Sequence, residues 1–330
     1  MEAVLEAVLA AFGDYSFRLM PLYLVATLAI ALCIFMFRYG FSALPGFLRW
    51  IAPTEIYAHP SHMVDIKLLL FSQALTVLGL FNTVVIRTAT IVLTMTVVGG
   101  LAGLELHDYR WSWLQIAFAT LLLALVMDFC TYWVHRVHHE YPVLWPFHSV
   151  HHSAEVMTPV TVYRKHPVYD LISDAATAVV TGVITGLILL AFSRNINIAG
   201  IGGANVVFVI FNVLGSNFRH SHVWISYGRA LEHIFISPAQ HQIHHSRAVV
   251  HHDKNYGEVF AFWDWMFGTL YIPEGREDIE FGLADRDGIP IPQAHVSLGS
   301  ALLVPVQESW AALSGRWRRV PEDTPETAER

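Results

Sequence analysis

The chain has 330 residues, of which 54% are hydrophobic and only 14% charged, with a mean hydropathy of +0.45. Soluble domains carry about 25% charged residues, so an ordinary soluble enzyme is excluded and the alternative of buried core helices in a large soluble protein is disfavoured. A net charge of −7 argues against nucleic acid as a partner, and two cysteines are too few for a disulfide framework or a zinc–thiolate site.

In chain order, apolar runs cover Leu19–Phe37, Ile66–Ile86, Thr88–Leu106, Trp111–Val134, Val168–Phe192 and Ile196–Gly215. Roughly 20 such residues cross a bilayer core as a helix. The expected fold is therefore all-α, a polytopic membrane helical bundle of about four to six membrane segments. Cys33 and Cys130 lie inside these runs and read as small buried apolar residues. Glycine and small residues recur through Thr177–Gly203, which suits close helix contacts in lipid. The run from Trp111 should continue as one helix through His139 and stop at Tyr141-Pro142. Trp111, Trp113, Trp133 and Trp145 sit where interfacial aromatics belong.

The 19 histidines are not scattered. Seven fall within His135–His166 and eight within His220–His252, each group directly after an apolar run. His135 and His139 are four apart. His148, His151 and His152 stand at i, i+3 and i+4, and His241, His244 and His245 repeat that pattern. Residues three and four apart share a helix face, so each set can aim its imidazoles at one point. Neutral imidazole is a common metal ligand, and eight converging rings suit two ions. His138 lies off the His135/His139 face, and His251 and His252 sit in a polar loop beside Asp253 and Lys254. His59 and His62 flank Pro60 and look incidental. Ligand type leaves zinc, copper, iron and nickel open.

Three runs carry a family resemblance. Asp128-Phe-Cys-Thr-Tyr-Trp-Val-His135-Arg-Val-His-His139, Leu144-Trp-Pro-Phe-His148-Ser-Val-His151-His152-Ser153 and Pro238-Ala-Gln-His241-Gln-Ile-His244-His245-Ser246 resemble the three histidine boxes of the fatty acid hydroxylase/sterol desaturase superfamily. Asn255-Tyr-Gly257, Trp263-Asp264 and Phe267-Gly-Thr269 resemble its closing signature, so the match runs from about Leu123 to Tyr271. The resemblance implies a cap holding a dinuclear site of two iron ions, with O2 as co-substrate. It implies His135, His139, His148, His151, His152, His241, His244 and His245 as ligands, with His220 of Phe218-Arg-His220-Ser-His222 as a further one. His166, in Arg164-Lys-His166-Pro167, and His222 are recurrent family positions without an assigned role. The implied activity is hydroxylation or desaturation of a lipid, fatty acyl, sterol or related.

Carboxylates should help two cations held by neutral ligands, because ligating histidines usually pass their other N–H to such a partner. Asp128, seven residues before His135 and deep in an apolar run, is the first candidate. Asp174 joins it as a catalytic candidate, with Asp170, Glu155, Glu232 and Asp264 behind. The chain shows no G-x-G-x-x-G fingerprint and His59-Pro60 lacks a following Gly-Gly, so electrons should come from a separate reductase, ferredoxin or cytochrome. A histidine-rich membrane metal transporter is the competing class, but most runs carry no charge of the kind a transport path needs.

Three regions are expected: membrane segments over residues 1–110, a catalytic region over 111–272 and a peripheral tail over 273–330. Arg136, Arg164, Lys165, Arg219 and Arg247 put the histidine boxes on the cytoplasmic side. Arg38, Arg49 and Lys67 put the first loop there too. Three runs then separate that loop from His135, so one of Ile66–Ile86 and Thr88–Leu106 should not cross, or the two form one unit broken around Arg87. The alternative is that the first loop escapes the charge rule and all six runs cross. Trp310–Trp317 with Arg316, Arg318 and Arg319 suits a membrane surface, and the sequence from Pro321 reads as disordered.

Overall fold

The structure is a computed structural model, and it describes residues 17–103, 111–192 and 198–315, without side-chain detail for 198–205. Its α-helices are α1 (Pro21–Tyr39), α2 (Pro60–Val77), α3 (Val84–Ala102), α4 (Trp113–Glu140), α5 (Trp145–His152), α6 (Pro167–Phe192), α7 (Ile198–Val213), α8 (Pro238–His244), α9 (Phe262–Phe267) and α10 (Leu298–Leu313), with one-turn helices between them. Among the described residues there is no strand, only isolated bridges such as Phe235 with Phe260. The all-α expectation holds.

Four of these helices, α1, α3, α4 and α6, are long and apolar enough to cross a membrane. The chain is thus a membrane protein with a polar cap on its helix ends. α2 is not among the four. It carries His62, Asp65 and Lys67, and it buries His62, Val64, Asp65 and Leu68 in the cap. The apolar stretch breaks over Gly79–Asn82, where Gly79 takes φ 78° and Asn82 Oδ1 accepts the Val84 N–H at 3.1 Å. The expected break at Arg87 is therefore misplaced, since Arg87 lies inside α3. Of the two runs in question, α3 keeps the length and apolarity of a span.

Helix α4 starts on a capping box in which Ser112 and Gln115 satisfy each other's backbone N–H groups, and it runs without interruption to Glu140. Tyr141 turns to extended φ/ψ before Pro142, which ends the helix as expected. Twenty-eight residues at about 1.5 Å each give a rod of roughly 42 Å, longer than the roughly 30 Å hydrocarbon core, so its last turns lift His135 and His139 out of the apolar layer.

Helices α3 and α6 meet through small residues. A Cβ on Gly182 would fall 2.8 Å from Thr90 Cβ, and one on Gly186 would fall 2.8 Å from Thr94 Cβ. Gly182-Val-Ile-Thr-Gly186 is thus a GxxxG contact, where the missing side chains let two backbones approach in lipid. α7 packs on α4 and α1. Its described extent is 16 residues, and the turn Arg194-Asn195 expected before it lies outside the described residues.

The tail beyond Tyr271 meets the cap at several points, among them the Glu280 carbonyl, which accepts the Arg247 N–H at 3.1 Å, and the His295 carbonyl, which accepts from Arg164. α10, opened by a Ser297/Ser300 capping box, packs on α5 and α2. Arg316, Trp317, Arg318 and Arg319, and the segment from Pro321, lie outside the described residues. Cys33 faces outward on α1, contrary to the expected burial, whereas Cys130 is buried.

Candidate metal centre

Three helix ends and one turn aim the histidines inward. α4 presents His135 and His139 on its last turns. α5 starts at Trp145-Pro146, where proline costs no hydrogen bond, and buries His148, His151 and His152. α8 starts on a Ser237/Gln240 capping box and buries His241, His244 and the following His245. His220 ends the one-turn helix Ser216–His220 below them.

The rings sort into two clusters. His135, His139, His148, His152 and His244 form one; His151, His220, His241 and His245 form the other, and within each the ligand atoms lie within 4.8 Å of one another. The spacing explains the sorting. In box two, His148 and His152, four apart, join the first cluster and send His151 to the second. In box three, His241 and His245 join the second and send His244 to the first. The clusters abut where His152 stacks on His245, with ring centroids 4.6 Å apart.

Within the clusters ring nitrogens face one another. Nε2 of His148 and His152 are 3.2 Å apart, those of His151 and His220 3.2 Å, those of His220 and His241 3.0 Å, and those of His241 and His245 3.2 Å. Nitrogens held about 2.0–2.1 Å from one ion stand about 2.8–3.4 Å apart, from octahedral to tetrahedral geometry. His135, His139 and His244 each bury an Nε2 with no hydrogen-bond partner. Buried orphan donors and acceptors are costly, and a metal ion resolves the cost. Each cluster can hold one. Burial is also the first cause that holds His148, His152, His220, His241, His244 and His245 well below the usual imidazole range, and His151 at about 3. Neutral rings are the metal-binding form.

One loop stands behind three of the first cluster's five rings. His135 Nδ1 donates to the Tyr256 carbonyl at 2.8 Å, His244 Nδ1 to the Lys254 carbonyl at 2.7 Å, and His139 Nδ1 lies 3.7 Å from the Asp253 carboxylate. Asp253 also accepts the Tyr256 hydroxyl at 2.9 Å. The loop is shaped by Asp253 and Asn255 at φ 58° and 56°, and by Gly257, where a Cβ would meet Phe260 O at 2.6 Å. Asp264 accepts the Tyr256 and Gly257 amides, each at 2.8 Å, and the Thr269 hydroxyl at 2.6 Å. Burial, opposed by these donors, pushes its carboxyl up to about 6.

Asp128 is fully buried, but its carboxylate takes the amides of Val259 at 2.9 Å and Phe260 at 3.1 Å and the Trp263 indole at 3.0 Å. It ties α4 to the end of the anchoring loop and accepts no imidazole N–H. Asp174 sits on α6 in the field of Asp170, Lys165 and Arg87, away from the rings. Glu232 is buried and accepts the Tyr227 amide. His166 caps the start of α6 through the Val168 amide and donates to the Leu302 carbonyl, and His222 donates to Trp50 O; neither joins a cluster. Two expectations are corrected by burial. His251 is buried and pairs with Glu277 at 2.8 Å instead of being solvated. His62 is buried and meets the Thr158 hydroxyl at 3.0 Å, while His59 caps α2; neither is incidental.

Arg164 and the loop carbonyls were not legible. Arg164, wholly buried, binds Asp65 at 2.8 Å, the Val150 carbonyl at 2.8 Å, Ser153 Oγ at 2.9 Å and the His295 carbonyl at 3.3 Å, so it joins α2, the box-two helix and the tail. Its one sequence signal is the Arg164-Lys-His166-Pro167 run.

The fatty acid hydroxylase family matches over residues 120–269, the interval that holds all nine clustered histidines. Residues 120–269 are a fatty acid hydroxylase domain. Its relatives include the ornithine lipid hydroxylase OlsE of Rhizobium tropici, 27% identical over 56% of this chain and 51% of that protein. An alkylglycerol monooxygenase of Danio rerio is 32% identical over 55% of this chain and 35% of the relative. The Delta(7)-sterol 5(6)-desaturase ERG3B of Gibberella zeae is 28% identical over 58% and 55%. The chain thus spans between about a third and just over half of the length of these relatives. No solved structure matches it.

Proposed function

We propose that this protein is an integral membrane non-haem di-iron oxidoreductase that uses O2 and external electrons to hydroxylate or desaturate a lipid. The observation that carries the reading is the division of nine buried imidazoles into clusters of five and four, each the size of one ion, inside a fatty acid hydroxylase domain. The relatives named for an ornithine lipid, an alkylglycerol and a sterol share a lipid substrate, which fits an active centre set on the ends of membrane helices.

In this reading His135, His139, His148, His152 and His244 hold one iron, and His151, His220, His241 and His245 the other. Bound iron supplies the oxidising power toward C–H bonds that side-chain acids and bases lack. The chain supplies the rest. The 253–256 loop fixes ring orientation through Nδ1. Asp264 and Asp128 fix the loop. Tyr169, stacked on His148 at 4.8 Å, and Trp145, 5.0 Å from His139, wall the first cluster from water. Asp128 thus acts by positioning, and Asp174 remains a candidate only through its charged neighbours on α6. The electron donor is a separate reductase, ferredoxin or cytochrome. The histidines face the cytoplasm, a placement now supported by Arg136, Lys165 and Arg247, because Arg164 and Arg219 are buried in the fold.

The test is the full chain purified in detergent. About two tightly held irons per chain, O2 uptake on addition of reductant, and an oxidised lipid in the mass spectrum of expressing cells are expected. Ion transport without O2 use would overturn the reading in favour of a transporter.

A further inference from the structure

The two clusters differ in what stands behind their rings. In the first, backbone carbonyls of Tyr256 and Lys254 accept the Nδ1–H of His135 and His244. Each acceptor sets the tautomer with the lone pair on Nε2, the atom aimed at the ion, and raises its basicity. Asp253 adds a negative charge behind His139. In the second, Arg219 Nη2 lies 2.8 Å from His241 Nδ1. A guanidinium can only donate, so His241 offers it the Nδ1 lone pair and a neutral ring then carries its proton on Nε2, the atom that points into the cluster. Metal capture through Nε2 there requires either that Arg219 let go and the ring proton move to Nδ1, or that the ring give up its proton altogether.

The surroundings add to this contrast. His220 lies in the field of Arg219, Arg18 and Lys165, and His151 in that of Lys165 and Arg164. Glu258 pairs with Arg18, and Asp170 lies 3.7 Å from Lys165, so these acids offset part of the positive charge. Arg219 keeps no carboxylate within ion-pair distance among the described residues, and its Nε is buried without a partner.

We infer that the two clusters hold metal unequally: the five-histidine cluster is the tight site, and the four-histidine cluster, with Arg219 held against His241, is the weak one. Arg219 is on this account a positioning residue that opposes occupancy of the second site. The inference rests on the proposed function for the presence of two ions, and goes beyond it in ranking them. Outer partners of ligating histidines change metal affinity by about 10–100-fold, so a separation of at least about tenfold is expected.

The experiment is titration of Co2+ into the metal-stripped full chain in detergent, read by ligand-field absorption. Two resolved steps are expected. Arg219→Gln should tighten the weaker step by about tenfold or more and leave the tighter one unchanged, an effect that a merely structural role would not give. Lys165→Gln, at a partly exposed position, should tighten the same step by a smaller factor. Asp253→Asn, at an exposed carboxylate, should weaken only the tighter step. If Arg219→Gln fails to fold, the last two variants decide. Two steps of equal affinity, or variants that move neither step or move both alike, overturn the inference and leave the functional reading standing. A wild-type chain that binds no Co2+ overturns both.

Discussion

The membrane helices and the cap solve opposite problems with the same chain. α3 packs against α6 through glycine and threonine, and most of its side chains face outward. The cap buries His148, His245, Arg164, Asp65, Asp128, Glu232 and Asp264 almost completely. Lipid satisfies an apolar side chain without protein contact, so a span needs only a close helix partner. A buried polar group has no such outlet, and each one in the cap must be matched by a donor, an acceptor or a metal ion. Substitutions in the cap should therefore cost more than substitutions in the spans, and they should cost it in metal as well as in stability.

The largest effect should come from the rings themselves. His148→Ala removes a ligand from the five-histidine cluster and leaves His152 Nε2 without its 3.2 Å neighbour. Lipid oxidation should fall to the level of cells lacking the protein, and iron content should drop toward one per chain. Unchanged activity would contradict the ligand assignment.

Acid should come next. The cap histidines outside the spans are held below the ordinary imidazole value by burial. On acidification the unfolded chain takes protons first, from about pH 6.5. Stability is thus present above that value and is lost as pH falls toward the folded-state values, about 3 for His151. The metal-stripped chain should show a melting temperature that drops steadily between pH 7 and pH 5. A flat profile would show that the rings are already protonated or exposed.

Asp128→Ala probes the seam between the regions. It strips two amides and an indole N–H of their acceptor inside the protein, each loss being worth about 1–3 kcal/mol. A loss of about 3 kcal/mol or more is expected, with weaker metal retention, because the same loop carries the Tyr256 and Lys254 carbonyls. Asp128→Asn, which keeps an acceptor oxygen, should recover much of it. Equal damage from both would mean that charge, not hydrogen bonding, is what the seam needs.

The sequence made the repetitive features legible. Apolar length marked the four helices fit to span but also the run of α2, which is not one of them, and i, i+3, i+4 spacing gave every ring that reaches a cluster, His220 apart, which came from the family resemblance alone. What stayed hidden depends on contacts between distant segments. No local pattern tells that Lys254 and Tyr256 offer carbonyls to His244 and His135, since any residue has a carbonyl. Nor does a pattern tell that Arg164 and Arg219 are buried: as sequence they look like surface cations marking the cytoplasm. Asp128 is buried, as its place in an apolar run suggested, but it serves no imidazole N–H, and its partners, 131 to 135 residues away, could only come from the fold. Lys67 inside the second apolar run, and Asp65 just before it, were the visible sign that α2 belongs to the cap.

The smallest effect belongs to the membrane side. Gly186→Ala places a methyl 2.8 Å from Thr94 Cβ and 3.1 Å from the Ile91 carbonyl. Backbone lies on one side of the contact, so the helices must separate slightly, at a cost of about 1–3 kcal/mol. Because α3 carries no histidine and α6 meets the centre at its first turn, through Tyr169 stacked on His148, metal content should stay near two per chain while the melting temperature drops by a few degrees. Gly186→Ala combined with Thr94→Gly, which removes the Cβ it meets, should recover part of the loss. Loss of metal in the single variant would show instead that the spans set the geometry of the centre, and that the division between the two regions is less complete than their packing implies.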